Sequence, residues 1–296
     1  MTYLERYRQG QYAEVWADLV ALGPAVRDEP HFADAKAVAE ETMRRARQNV
    51  ETIIDRLDQL GYVFNNRPSE PALPSGVNVS PATELRITRT LDYVTKLGLP
   101  EYKDDPLRHE AFDWARAQGI PLGGGANQKG QEKPEPVPTA ELDDFERRHG
   151  PLPMSLRAWY EIVGPVDFCG SHLVLMSTAL KYSPDPLVVD ALEGADVTLD
   201  MFDDEDDDEE DGETRRLLWL APDDLHKINV SGGSPYGMYI PEPNADAEFA
   251  NYARGVTFVQ YLRETFRWGG FPGLQLAGSH IPRQELDFLT KDLLPL

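Results

Sequence analysis

ELDDFERRHGPLPMSLRAWYEIVGPVDFCGSH (Glu141–His172) is the stretch from which the fold is read. Thr139, just ahead of it, can cap a helix with Glu141 and Asp143 in its first turn. Carboxylates there face the positive end of the helix dipole. Gly150-Pro151 ends that helix, and Pro153 suits the first position of a second. Leu156, Trp159, Tyr160 and Val163 give the second helix one apolar face, closed by Gly164-Pro165. The aromatics of this segment and of FRWGGFPG (Phe266–Gly273) are expected to pack in the core; any that stay exposed mark a partner groove.

Downstream, His172–Met176, Leu217–Leu220 and Tyr236–Ile240 read as strands. Ala221-Pro222-Asp223-Asp224 starts a short helix through Leu225 and His226, and Gly232–Pro235 is a turn. Thr257 can cap a last helix whose face is Phe258, Leu262 and Phe266, stopped by Gly269-Gly270. The class is therefore α+β.

Upstream, the first sixty residues read as helices. Tyr12, Val15, Trp16 and Leu19 share a face before Gly23-Pro24. A longer helix spans about Ala33 to Leu60, with Met43, Ala46, Val50, Ile53, Leu57 and Leu60 as a seam. Gly61 stands just past its end, and Tyr62-Val63-Phe64 is a short strand candidate. Four prolines in Asn65–Pro81 forbid a continuous helix or central strand, and Gly119–Pro138 is a Gly- and Pro-rich linker. The expected layout is N-terminal helices over 1–66, the later part packing on the C-terminal unit. An insertion and linker over 67–138 and an α+β unit over 139–296 complete it.

The 296 residues carry a net charge of −22. That argues against a general nucleic-acid binder and against adhesion to an anionic membrane. No run reaches the length of a membrane span, and MTYLERYRQG has no apolar signal region, so a cytoplasmic location is expected. Cys169 is the only cysteine, which excludes an internal disulfide and a Cys-based zinc cluster. It is expected to be a small core residue. DMFDDEDDDEEDGE (Asp200–Glu213) holds eleven carboxylates, half the net charge, in an insertion expected to be a solvated loop. With Gly212 as a calcium-loop glycine, Leu218 falls where a bidentate Glu is needed, so it is no EF-hand. A sharper reading makes it a decoy for the basic groove of a nucleic-acid-binding protein.

The glycines of Gly123–Gly130 lack the Lys-Ser/Thr of a phosphate loop, and Gly232, Gly233 and Gly237 do not match a dinucleotide fingerprint. No two of the six histidines have the i, i+4 spacing of a helical metal site. No Gly-x-Ser-x-Gly elbow occurs. No catalytic, metal or cofactor-binding residues are assigned, and the chain is expected not to be an enzyme. The competing enzyme reading requires His172 or His226 in a pocket with a carboxylate in reach.

The Glu141–His172 stretch resembles the opening of the SUKH superfamily, the Smi- and Knr-like proteins: an acidic helix, a Gly-x-Leu-Pro turn and a helix beginning Ser-Leu-Arg with aromatics. DPLVVDAL (Asp185–Leu192), LAPDDLHKINVSGGSPYGMYIP (Leu220–Pro241) and VTFVQYLRETFRWGGFPG (Val256–Gly273) look like later blocks of its bacterial branch. The positions that carry the likeness are Pro153, Leu156, Trp159, Gly170, Asp185, Pro186, Gly232, Gly233, Trp268 and Gly269. The resemblance implies helices packed on a mixed sheet with a concave face. It implies an immunity protein that neutralises a polymorphic toxin, often a nuclease, by direct binding, or a scaffold without a toxin, as in fungal relatives. The expected partner is a basic toxin domain, with no cofactor, nucleic acid or membrane. The expected partner-binding residues are Asp203, Asp204, Glu205, Asp206, Asp207, Asp208, Glu209 and Glu210, with Trp159 and Tyr160.

Overall fold

A computed structural model describes residues 1–64, 133–172, 174–176, 183–192, 215–228, 230 and 232–296. The chain opens with α1 (Tyr3–Arg8) and α2 (Tyr12–Ala21), then a 3-10 turn over Gly23–Arg27. Next comes α3 (Phe32–Gln59), 28 residues without Pro or Gly. Its apolar seam, Val38, Met43, Ala46, Val50, Ile53 and Leu57, is fully buried. Its outer face is laced by pairs one turn apart, Arg44 with Glu40, Arg45 with Glu41 and Arg47 with Glu51.

The chain turns directly from α3 into β1 (Val63–Phe64), with the Tyr62 amide bonded to the Leu57 carbonyl at 2.9 Å. β1 pairs antiparallel with β3 (Gly170–Ser171), Val63 opposite Ser171. Between them in sequence lie α4 (Thr139–His149), α5 (Met154–Ile162) and β2 (Val166–Asp167). α5 packs along α3. The N-terminal helices and the C-terminal unit thus share one hydrophobic cluster, from Tyr7 to Leu296.

β4 (Val188–Val189) pairs with β2, and β5 (Arg216–Ala221) with β6 (Tyr236–Ile240). The Asp190 amide donates to the Leu220 carbonyl at 2.7 Å, which ties the end of β4 to β5. Gly237 of β6 bridges onward to Ala250. Every strand pairing among the described residues is antiparallel, so the expected mixed sheet is represented by three two-stranded pairs. α6 (Phe258–Arg267) follows, then a 3-10 stretch over Pro272–His280 and α7 (Arg283–Thr290).

β6 has the expected limits, and β5 and α3 run within a residue or two of theirs. Thr257 does cap α6, in a reciprocal box with Gln260. That helix is not the last, since α7 lies beyond it. Thr139 is not a cap: Pro138 holds that place in extended conformation, its neighbour Val137 bonded to the Tyr160 carbonyl at 2.8 Å. Pro153 likewise sits one position ahead of its helix. In place of the strand expected at His172–Met176, the described residues Val174–Met176 form a turn. The His172 ring accepts from the amides of Val174 and Leu175 at 3.3 and 3.1 Å, taking donors that a ladder would need.

Because α3 is shared by both parts of the chain, damage to its seam should be felt everywhere. Ile53→Ala is expected to cost about 3 kcal/mol. Urea transitions followed by far-ultraviolet circular dichroism and by tryptophan fluorescence should shift together.

Candidate functional site

A cluster of buried polar residues, Ser183, Asp185, Asp223 and Lys227, forms where the loop before β4 meets the turn after β5. Lys227 is buried with its side chain wholly inaccessible, and its ammonium donates to Asp185 Oδ1 at 2.7 Å. The Tyr236 ring lies 4.7 Å from the same nitrogen. An ammonium so enclosed needs a counter-charge and an electron-rich face, and it has both. Burial raises the Asp185 carboxyl above its usual range, and the Lys227 ammonium offsets part of that rise. Asp185 takes a left-handed conformation, φ 52°, and its amide donates to Ser183 Oγ. That hydroxyl donates to the Asp224 carbonyl at 2.6 Å.

Asp223 Oδ1 accepts from the amides of Leu225 and His226 at 2.8 and 3.1 Å, while its other oxygen meets the His226 ring. These bonds hold Asp223 below its usual pKa range despite the desolvation that opposes them. Gly232 is required here, because a Cβ would stand 2.2 Å from Asp223 Oδ1. Of the positions that carry the family likeness, Asp185 and Gly232 are therefore joined through the turn Asp223–Lys227. Pro186 is buried beside Asp185, and Gly233 is exposed. Gly170 lies in β3, where a Cβ would strike the Val63 carbonyl and the Tyr62 ring. Pro153 and Leu156 belong to the buried start of α5, and Trp268 and Gly269 to the end of α6.

The site expectations divide. Asp203 to Glu210 lie outside the described residues, as do most of 67–138 and the glycines of Gly123–Gly130. Trp159 and Tyr160 are not partner-facing: both are fully buried, Trp159 edge-on to Phe258 and Tyr160 bonded to the Asp190 carbonyl at 2.8 Å. Trp159 thus packs toward α6 and Tyr160 toward the end of β4, so both serve the core.

His226 has a carboxylate partner, as the enzyme reading requires, but that carboxylate caps the turn through the Leu225 and His226 amides, and the imidazole is half exposed. His172 stacks on Tyr62 and bonds the Leu60 carbonyl. Burial, with Asp167 beside it, pushes the Cys169 thiol far above its ordinary value, so little thiolate forms at neutral pH. Among the described residues no group of three or more His, Cys, Asp or Glu could hold a metal ion. A cleft of about 230 Å³ opens between α3, α4 and α5. Ala39, Met154 and Ala158 contribute apolar lining, and of its acids Glu146 and Glu161 are engaged by Arg157 and Glu40 by Arg44. Sequence reasoning missed it because its walls come from segments over a hundred residues apart.

Comparison of the chain with protein-family models, with curated proteins and with solved structures returned no match.

The buried pair makes a direct stability prediction. Lys227→Met leaves Asp185 without its counter-charge and should lower unfolding free energy by about 3–5 kcal/mol. Adding Asp185→Asn, which tolerates the left-handed backbone, should return much of that loss in the same urea titration.

Proposed function

We propose that this chain is a non-catalytic, SUKH-like protein-binding domain that acts as a cytoplasmic immunity protein, sequestering a basic toxin domain by direct contact. The ordered likeness over Thr139–Gly273 motivates the family. The observation that carries the binding reading is the placement of charge. Eleven carboxylates of Asp200–Glu213 enter the chain between β4 and β5, which neighbour each other, so half of the net charge is rooted at one place on the fold. A nuclease presents a cationic groove to phosphates, and a strongly acidic protein is steered to such a groove. The reactive side chains of the C-terminal unit are engaged in capping and ion pairing, which fits a binding role better than a chemical one.

The test is a tagged purification from the native cell at low and at high salt, with mass spectrometry of what co-elutes. One stoichiometric partner bearing a toxin domain, lost at high salt, is the expected result. Several substoichiometric partners, insensitive to salt, would instead favour a general scaffold.

A further inference from the structure

The cleft of about 230 Å³ between α3, α4 and α5 has an asymmetry of charge. Its apolar floor is Ala39 of α3 with Met154 and Ala158 of α5, and Phe32 at the start of α3 borders it while still 37% exposed. Three acids also line it, and each is held by a guanidinium. Glu40 meets Arg44 at 2.9 Å, Glu161 meets Arg157 at 3.0 Å, and Glu146 meets Arg157 as well. A cationic ligand would have to displace those arginines.

The cations Arg27 and Lys36 are less closely matched. Arg27 donates from Nε to the Pro243 carbonyl at 2.8 Å and from Nη2 to the Leu152 carbonyl at 2.5 Å. Carbonyls accept these bonds without neutralising the charge, and among the described residues Arg27 makes no ion pair. Burial pulls its pKa below the ordinary value, and Glu146 offsets part of that fall. Lys36 has one carboxylate partner among the described residues, Glu40, at 3.9 Å. That is longer than a hydrogen bond. A desolvated cation bonded only to neutral carbonyls gains from an added anion.

We propose that this cleft binds a small apolar monocarboxylate. Its carboxylate would meet Lys36 and Arg27, and its apolar body would lie on Ala39, Met154 and Ala158. The volume is below the roughly 300–1,000 Å³ of sites for drug-sized ligands. At roughly 30 Å³ for a water molecule in the liquid, it has room for about eight non-hydrogen atoms, the size of a benzoate. The net charge of −22 opposes an anion at long range, but physiological salt screens that field beyond about 8 Å. The site does not depend on the immunity reading. An acid bound there bridges α3 and α5, so it stabilises the fold whatever the partner.

Benzoate is the probe, titrated into the full-length chain with its methionine methyl groups labelled for nuclear magnetic resonance. The Met154 signal is assigned by its loss in Met154→Leu. It should shift saturably, with a Kd of about 1 mM for so small a ligand. Benzamide, which has the same shape without the charge, should bind at least tenfold more weakly. Lys36→Gln, at a half-exposed position, should weaken benzoate about tenfold. At ten times its Kd, benzoate should also raise the folding equilibrium constant of the parent chain about tenfold in urea titrations. No saturable shift at Met154, or equal binding of benzamide, or unchanged affinity in folded Lys36→Gln would overturn the proposal. Tighter binding of the tripeptide Gly-Gly-Phe than of benzoate would overturn the assignment to a free acid.

Discussion

The structure depends on one buried helix. α3 has its apolar seam covered on several sides at once: α5 lies along it, α1 and the Gly23–Arg27 turn pack at its start, and α7 packs near its end. A helix of this length gains little from propensity alone, and its stability comes from tertiary burial. The reverse also holds. α5, whose buried residues include Met154, Leu156 and Ala158, packs along α3 and would lose that cover if α3 were absent. Helical propensity starts both elements, and mutual burial keeps them.

Arginine extends this dependence beyond the apolar core. Arg47 on α3 donates to the Ile162 carbonyl at the end of α5, and Arg56 donates to the carbonyls of Leu289 and Lys291 after α7 begins. Arg27 clips the carbonyls of Leu152 and Pro243, and Arg263 those of Tyr12 and Leu296. Asn49 adds a two-way bond to the Leu294 backbone. Guanidinium suits this task because it reaches two carbonyls with a fixed fork and stays charged when half-buried. Much of the small cationic complement therefore holds segments together.

Elements marked by local signals were legible in the sequence. The Thr257 box, the seam of α3, the glycine stops and the strands around Leu217–Leu220 and Tyr236–Ile240 are encoded within a few residues. What was not legible depended on distant partners. The turn at His172 forms because a side chain captures amides. α7 has only eight residues and is fixed by α3 rather than by strong caps. Trp159 and Tyr160 could not be assigned to core or surface until Phe258 of α6 and the Asp190 carbonyl after β4 were seen against them. The Lys227–Asp185 pair joins residues 42 apart, and neither residue type forecasts full burial.

The central claim is that residues 1–64 are part of one cooperative unit with the α+β segment and not an appended module. The direct measurement compares the full chain with a fragment beginning at Lys133, by urea unfolding and near-ultraviolet circular dichroism. The account predicts that the fragment lacks fixed aromatic packing and a cooperative transition, and that it regains both on mixing with a 1–64 peptide. A fragment that unfolds cooperatively with the stability of the full chain would contradict it.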